Sequence, residues 1–305
     1  MENNQNRSPG KVLVSAILLA KPGIIVSVAF TGLAGMIVAS KGIPPVLTII
    51  LGIIALLLSA AGSAILNNIL DKKIDKEMSR LNKRVEAMET VGDMNALIIS
   101  LLIILISLII SILYFNYLNT ALILCAIISY TLLYTLFLKR SSPFGTILGG
   151  IPGALPVLIG YTAINNYIGF DSFVLFIFMM LWQPPHFWAL AQKYKKDYEN
   201  AKIPVLPVVF GKEYTNILIL IYSLSLLPLT LILWFIGLNT VYFAIFATIA
   251  GIYFNYVVIK SVYRDSGYGK AFAISILYML SVMLFVIIDI IINSLSPVQR
   301  VISGL

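Results

Sequence analysis

The chain carries unbroken apolar runs longer than a soluble domain can bury, of which ALIISLLIILISLIISILY at residues 96–114 is the clearest. A helix crosses a bilayer core of about 30 Å in roughly 20 residues, so runs of this length read as membrane spans. Membrane β-strands would instead give segments of about 10 residues with alternating polarity, and these runs do not alternate. Spans are predicted at 24–40, 45–69, 95–115, 118–138, 145–164, 172–191, 215–237, 239–260 and 271–293. The expected fold class is therefore all-α: a polytopic membrane protein with nine transmembrane helices in one bundle. The composition agrees, at 60% hydrophobic and 11% charged against about 25% charged in soluble domains, and it excludes a soluble enzyme.

Charge sets the expected orientation. Of 21 basic residues, Arg7, Lys11 and Lys21 precede the first span, and sixteen lie after spans two, four, six and eight. Only Lys41 and Arg300 fall elsewhere. The positive-inside rule then puts the N-terminus and these loops in the cytoplasm and the C-terminus outside. It also accounts for the net charge of +8 without nucleic acid as a partner; the bilayer is the partner. Because the opposite loops are short and nearly uncharged, chemistry is expected on the cytoplasmic face. We divide the chain into a polar N-terminal tail at 1–10, one membrane domain at 11–293 and a C-terminal tail at 294–305. Within the domain, 11–20 resembles an interfacial entry helix more than a signal peptide, since Glu2 and Lys21 flank it wrongly for cleavage. The lack of an Arg-rich transit segment favours a prokaryotic plasma membrane.

Metal chemistry is narrowed by two counts. Cys125 is the only cysteine and His186 the only histidine, so thiolate-based and multi-histidine sites cannot come from one chain. A metal must be held by oxygen. Asn67, Asp71 and Asp75 supply it, spaced i, i+4 and i+8, so that they share one helix face. Two carboxylates and an amide oxygen suit Mg²⁺, which commonly binds through carboxylates plus substrate phosphates. Directly beyond stand Lys72, Lys73, Lys76, Arg80, Lys83 and Arg84. Acids to hold the metal and cations to neutralise phosphate together point to a diphosphate, although a solvated helix end with acids paired to lysines would look the same.

The densest second segment is LWQPPHFWALAQKYKKDYENAKIPVLPVVFG, at 181–211. Pro184 and Pro185 cannot donate to the carbonyls of Met180 and Leu181, so a kink is expected there. His186 follows at once, suited to iron ligation, substrate hydrogen bonding or proton transfer, or simply bonded to a neighbouring helix. Lys193, Lys195, Lys196, Asp197, Tyr198 and Lys202 then form a second cluster on the same side. Two such clusters four spans apart suit a duplicated bundle with a central cavity open to the cytoplasm. Tyr130, Tyr134, Trp182, Phe187 and Trp188 are candidates for stabilising a carbocation. Asp289 is an intramembrane acid without an obvious partner, and the glycines of ILGGIPGALP suggest close helix packing.

NNILDKKIDKEMSR resembles the NDxxDxxxD signature of the UbiA superfamily of membrane prenyltransferases. Within it, KPGIIVSVAFTGLAGM, YTLLYTLFLKRSSPFGTILGG and WQPPHFWALAQKYKKDYENAKIPVLPVVFG resemble the protohaem IX farnesyltransferase (haem O synthase) branch, over about residues 20–212. The resemblance implies that Asn67, Asp71 and Asp75 bind the Mg²⁺ of a prenyl diphosphate. It implies that Lys72, Arg80, Lys83, Arg84, Lys139, Arg140, Lys193, Lys196, Tyr198 and Lys202 grip the diphosphate. Where many superfamily members carry several second-motif aspartates, only Asp197 remains here, as in the haem branch. His186, with Trp182 and Gln183, is implied as the haem contact. The implied substrates are farnesyl diphosphate and haem B, joined at a haem vinyl group with addition of water. A haem A synthase or a terminal oxidase assembly factor is the implied partner. Competing readings are a sibling prenyltransferase acting on a quinone precursor or lipid, a transporter, and a non-catalytic haem-binding partner.

Overall fold

A computed structural model describes residues 8–295, and nine helices among them are long and apolar enough to cross a membrane. Arg7, Arg300 and most of both expected tails lie outside the described residues. The first helix, α1 (Pro9–Leu19), does not reach span length. Ser8 caps it, its Oγ accepting from the Lys11 N–H at 3.4 Å, and Pro9 opens it where no donor is needed. The first span, α2 (Pro22–Ser40), follows after a break at Lys21, whose φ of 60° is left-handed. A lysine held there is conformationally costly, and the break turns its side chain inward.

The other principal helices are α3 (Val46–Leu70), the short α4 (Asn82–Val91), α5 (Asp93–Tyr114), α6 (Tyr117–Ser141), α7 (Gly145–Thr162), α8 (Phe170–Lys193), the short α9 (Lys195–Asn200), α10 (Gly211–Phe235), α11 (Val241–Tyr263) and α12 (Tyr268–Leu295). Each span lies within a few residues of its expected place. Sequence neighbours pack side by side, and α12 packs back on α2, closing the ring. The α2–α7 contact is close enough to demand glycine: a Cβ on Gly160 would stand 1.9 Å from the Gly32 carbonyl oxygen. Lipid is as apolar as leucine, so such contacts and buried polar bonds take over the work of hydrophobic burial between helices. Ser107 Oγ donates to the Ala55 carbonyl at 2.7 Å, and Asn119 Nδ2 to the Ile159 carbonyl at 2.6 Å.

Two expectations resolve here. Asp289 has partners after all: its carboxylate accepts from the Thr240 N–H at 2.7 Å, from the Thr240 hydroxyl and from Asn239 Nδ2 at 3.1 Å. It caps the start of α11 across the bundle. And α8 runs on as one helix through Pro184 and Pro185, so the two prolines do not end it.

Candidate active site

The acidic face forms as its spacing predicts. Asn67, Asp71 and Asp75 are all buried, at 5%, 1% and 5% exposure, and the Asp75 N–H bonds the Asp71 carbonyl at 2.8 Å, so the helical spacing continues past the end of α3. Asn67 Nδ2 donates to Asp71 Oδ2 at 2.9 Å and to Thr135 Oγ1 at 2.9 Å.

Facing it is a stretch of α6 with an unusual backbone. Residues Ser129–Leu138 form a π-helix, a form found mostly as single turns at functional sites. It presents Tyr130 and Tyr134 side by side, ring centroids 6.1 Å apart and nearly parallel. It also delivers Lys139 and Arg140 to Asp71: Lys139 Nζ donates to Oδ2 at 2.6 Å, and Arg140 donates to Oδ1 at 3.1 Å and to the Leu70 carbonyl at 2.9 Å. Both oxygens of Asp71 are thus engaged. The Asp75 carboxylate, in contrast, has no hydrogen-bond or ion-pair partner among the described residues and faces a cavity. Burial pushes its carboxyl above the usual range, with the neighbouring Asp71 adding to the effect against the pull of Lys139 and Lys21.

Lys21 reaches the same place from the other side. Its ammonium donates to Asn67 Oδ1 and to the Tyr130 hydroxyl, the latter at 3.3 Å. Burial, then repulsion from Arg84 and Lys139, lowers its pKa to about 7. The sequence reading counted Lys21 only as a flanking positive charge. Its signal was the Lys-Pro step, which breaks a helix but does not say where the side chain goes.

Two loops roof the cavity. Asp197 on α9 accepts from Ser79 Oγ at 3.1 Å and from the Arg80 N–H at 3.5 Å, with the Arg80 guanidinium 3.9 Å away. The guanidinium lies over the rings of Tyr194 and Tyr198, at 5.2 and 5.3 Å, and donates to the Tyr198 hydroxyl at 3.0 Å. Burial raises the Tyr198 pKa. Met78, Leu81, Tyr198, Ile203 and Val205 pack beneath as an apolar seam.

The cavity, of about 200 Å³, is lined by four cations (Lys21, Arg80, Arg84, Lys139), Asp75, Asn67, the rings of Tyr130, Tyr134, Phe187 and Tyr198, and apolar side chains including Ile24 and Leu190. Such a surface can hold a polyanion at one end and an apolar chain against the rings. The donor set fits a Mg²⁺ ion: the buried Asp75 carboxylate offers oxygen ligands, Asp71 and Asn67 stand one and two turns away, and water and phosphate would complete the shell. No cluster of three or more acids, histidines or cysteines forms among the described residues, and Asp197 stands apart from this set as the bond that joins the two loops.

Not every expected residue comes to the cavity. Lys72 pairs with Asp93 at 2.7 Å. Lys83, Lys196 and Lys202 are exposed and do not line it, and Lys193 lies over the Tyr194 ring at 4.9 Å. The expected haem residues divide between two faces of α8. Gln183 turns to α7, donating to the Gly150 carbonyl at 2.7 Å. His186 turns to α12, its Nδ1 2.7 Å from Ser275 Oγ and its ring stacked between Trp182 and Phe272 at 4.5 and 4.4 Å. Trp182 Nε1 donates to the Ser275 carbonyl at 2.7 Å.

Comparison with known proteins bears on this arrangement. The pattern of the UbiA prenyltransferase family matches residues 28–288. The protoheme IX farnesyltransferase of Geotalea uraniireducens (strain Rf4) is 43% identical over 255 residues, 84% of this chain and 98% of that one. The protoheme IX farnesyltransferase of Aquifex aeolicus (strain VF5) is 37% identical over 281 residues, 92% and 96% of the two chains. Among solved structures, a digeranylgeranylglyceryl phosphate synthase superposes with a TM-score of 0.75 at 17% identity, covering 92% of this chain and 99% of that one. A UbiA homolog from Archaeoglobus fulgidus, bound to DMAPP and Mg²⁺, superposes with a TM-score of 0.67 at 13% identity, covering 88% and 99%.

Proposed function

The chain belongs to the UbiA prenyltransferase family, and from that premise we propose that it transfers a farnesyl group from farnesyl diphosphate to a vinyl group of haem B, with addition of water. The observation that carries the reading is the pairing, in one cavity, of a partnerless buried Asp75 with four cations and an aromatic wall. The fold and the transferase activity follow from the family; haem B as acceptor rests on the names of the relatives and on the WQPPHFW block.

Asp71, Asp75 and Asn67 would hold Mg²⁺, which when bound supplies charge neutralisation to the departing diphosphate. Lys21, Arg80, Arg84 and Lys139 add fixed positive charge where negative charge develops as the C–O bond breaks. Lys139 and Arg140 sit on Asp71, and an oxygen of Asp71 turning to the metal would free them toward the diphosphate. Tyr130, Tyr134 and Phe187 face the allylic cation left behind, stabilise it through their π faces and exclude water from that end. The vinyl π electrons of the acceptor form the new C–C bond. Water then adds to the resulting benzylic-type cation and loses a proton, leaving a hydroxyethylfarnesyl chain with no redox change. His186 is the residue we assign to the porphyrin; its ring is held by Ser275 between Trp182 and Phe272, outside the lining of the cavity. By the distribution of lysine and arginine the site faces the cytoplasm of a prokaryotic cell, and the product would pass to a haem A synthase or terminal oxidase assembly partner.

The test is the mass of haem extracted from membranes carrying the chain after incubation with haem B, farnesyl diphosphate and Mg²⁺, with and without chelator. A chelator-sensitive gain of one farnesyl group plus water is expected. Unchanged haem in folded, lipid-embedded protein, with turnover of a quinone precursor instead, would move the acceptor assignment to a sibling activity.

A further inference from the structure

At the end of the bundle opposite Asp71 and Asp75, the described residues carry three carboxylate or ammonium side chains: Lys41, Asp171 and Asp289. Asp289 is satisfied by Thr240 and Asn239. Lys41 and Asp171 both line a second cavity, of about 290 Å³, with Leu238, Ile290, Asn293 and Ser294. They do not form an ion pair with each other. The Lys41 ammonium has no hydrogen-bond or ion-pair partner among the described residues, and the Asp171 carboxylate accepts from the Ser172 N–H at 2.8 Å and is hydrogen-bonded with Tyr161, with no cation on it.

Two features make Lys41 unusual. It is the one basic residue at this end among those described, against the lysine and arginine bias of the rest of the chain. It also closes α2 in the left-handed conformation, at φ 51°, where glycine or asparagine is the ordinary choice. A side chain kept at a conformational cost, with its charge open to a cavity, is a sign of function. The two charges are of opposite sign, line one cavity and do not neutralise each other, which matches one ligand carrying both an anion and an ammonium. The cavity lies just below the roughly 300–1,000 Å³ of drug-sized pockets, enough for a headgroup rather than a whole lipid. Its rim includes Ile236, Leu238 and Ile290 at the ends of membrane-spanning helices, and an acyl-linked glycerol would continue along such a rim.

We propose that this cavity binds the headgroup of a phosphatidylethanolamine from the leaflet at that end, Lys41 taking the phosphate and Asp171 the primary ammonium. A choline headgroup offers no N–H to Asp171 and a glycerol headgroup no cation, so the site discriminates among common lipids through a charge-assisted hydrogen bond.

The experiment places the full chain in nanodiscs containing equal amounts of phosphatidylethanolamine, phosphatidylcholine and phosphatidylglycerol, and counts retained lipid by native mass spectrometry. The wild type should retain ethanolamine over choline lipid by about tenfold, the scale of one hydrogen bond to a charged group. Asp171→Asn should bring the ratio close to one, and Lys41→Gln should lower retention of ethanolamine and choline lipid alike, with thermal transition and prenyl transfer unchanged. The exchange pair Lys41→Asp with Asp171→Lys should restore it. Equal retention of the three lipids by the wild type overturns the proposal, as does a preference that survives Asp171→Asn or a retention that Lys41→Gln leaves unchanged. If free phosphoethanolamine raises the thermal transition in detergent while the nanodiscs show no lipid preference, the ligand is soluble and the lipid assignment fails.

Discussion

Asp71 and Asp75 are one turn apart in the same motif, yet the structure gives them opposite parts in stability, and replacing each by asparagine separates the two. Asp71 is 1% exposed and neutralises Lys139 at 2.6 Å and Arg140 at 3.1 Å. Asp71→Asn keeps the shape but leaves Lys139, itself only 15% exposed, without its counter-ion. Breaking a buried pair by removing one partner costs about 3–5 kcal/mol; the amide oxygen of asparagine retains part of the bonding, so about 2–4 kcal/mol is expected on the same basis. Asp75 has no such partner, and burial already raises its carboxyl pKa. A carboxyl raised in the fold above its unfolded value favours folding when protonated, and that contribution fades as pH rises through the raised value. At neutral pH the ionised Asp75 therefore works against the fold, and Asp75→Asn should leave thermal stability unchanged or higher. Turnover should fall by orders of magnitude in both. Tryptophan fluorescence during thermal unfolding in one detergent, with prenyl transfer on the same preparations, reads both effects. If Asp75→Asn lost as much stability as Asp71→Asn, the division of labour drawn from the geometry would be wrong; active Asp75→Asn would remove it from the metal set.

Three further outcomes follow from the same geometry. Lys21→Met should raise the KM for the prenyl diphosphate at least tenfold, given about 1.5–3 kcal/mol for a hydrogen bond to a charged group. Because the Lys21 pKa is lowered to about 7, only the protonated form below that pH carries the charge that grips the donor. Wild-type affinity for the donor should thus weaken as pH rises through about 7, and Lys21→Arg should flatten that slope. Asp197→Asn should raise the KM for the donor by loosening the bond between the two roofing loops, while the Mg²⁺ concentration for half-maximal rate stays put; a large shift in that concentration would return Asp197 to the metal shell. Asp289→Ala should cost about 1–2 kcal/mol, the scale of a lost helix cap, and a variant as stable as wild type in thermal unfolding would contradict the cap seen at Thr240.

Much of the candidate site was legible because its signal is local. The spacing of Asn67, Asp71 and Asp75 alone puts them on one face, and the structure keeps them there. The basic residues were over-assigned for an equally physical reason: sequence shows that Lys72, Lys83, Lys193, Lys196 and Lys202 cluster near the motifs, but not which way each side chain points on its turn. Lys72 turns outward to Asp93, whereas Arg84, a residue with the same apparent claim, turns into the cavity. The π-helix at Ser129–Leu138 left no trace in SYTLLYTLFL, which reads as ordinary apolar helix. Its wider turn makes sense only beside Asp71, where it lets Lys139 and Arg140 both arrive.

Hydropathy and helical period are properties of short stretches of chain, and those by themselves determined nine spans and the oxygen-rich motif at the end of the second. Everything that depends on which helix lies against which was decided by the tertiary structure. Lys21 and Asn67 are 46 residues apart, and their meeting requires α2 to pack on α3. Asp289 finds Thr240, and His186 turns to Ser275 and away from the cavity, only because α12 closes the ring. Inside a membrane the lipid does not distinguish one apolar face from another, so the choice of neighbours falls to glycine contacts such as Gly32 with Gly160 and to buried polar bonds, and these are pairings between distant residues that no local pattern records.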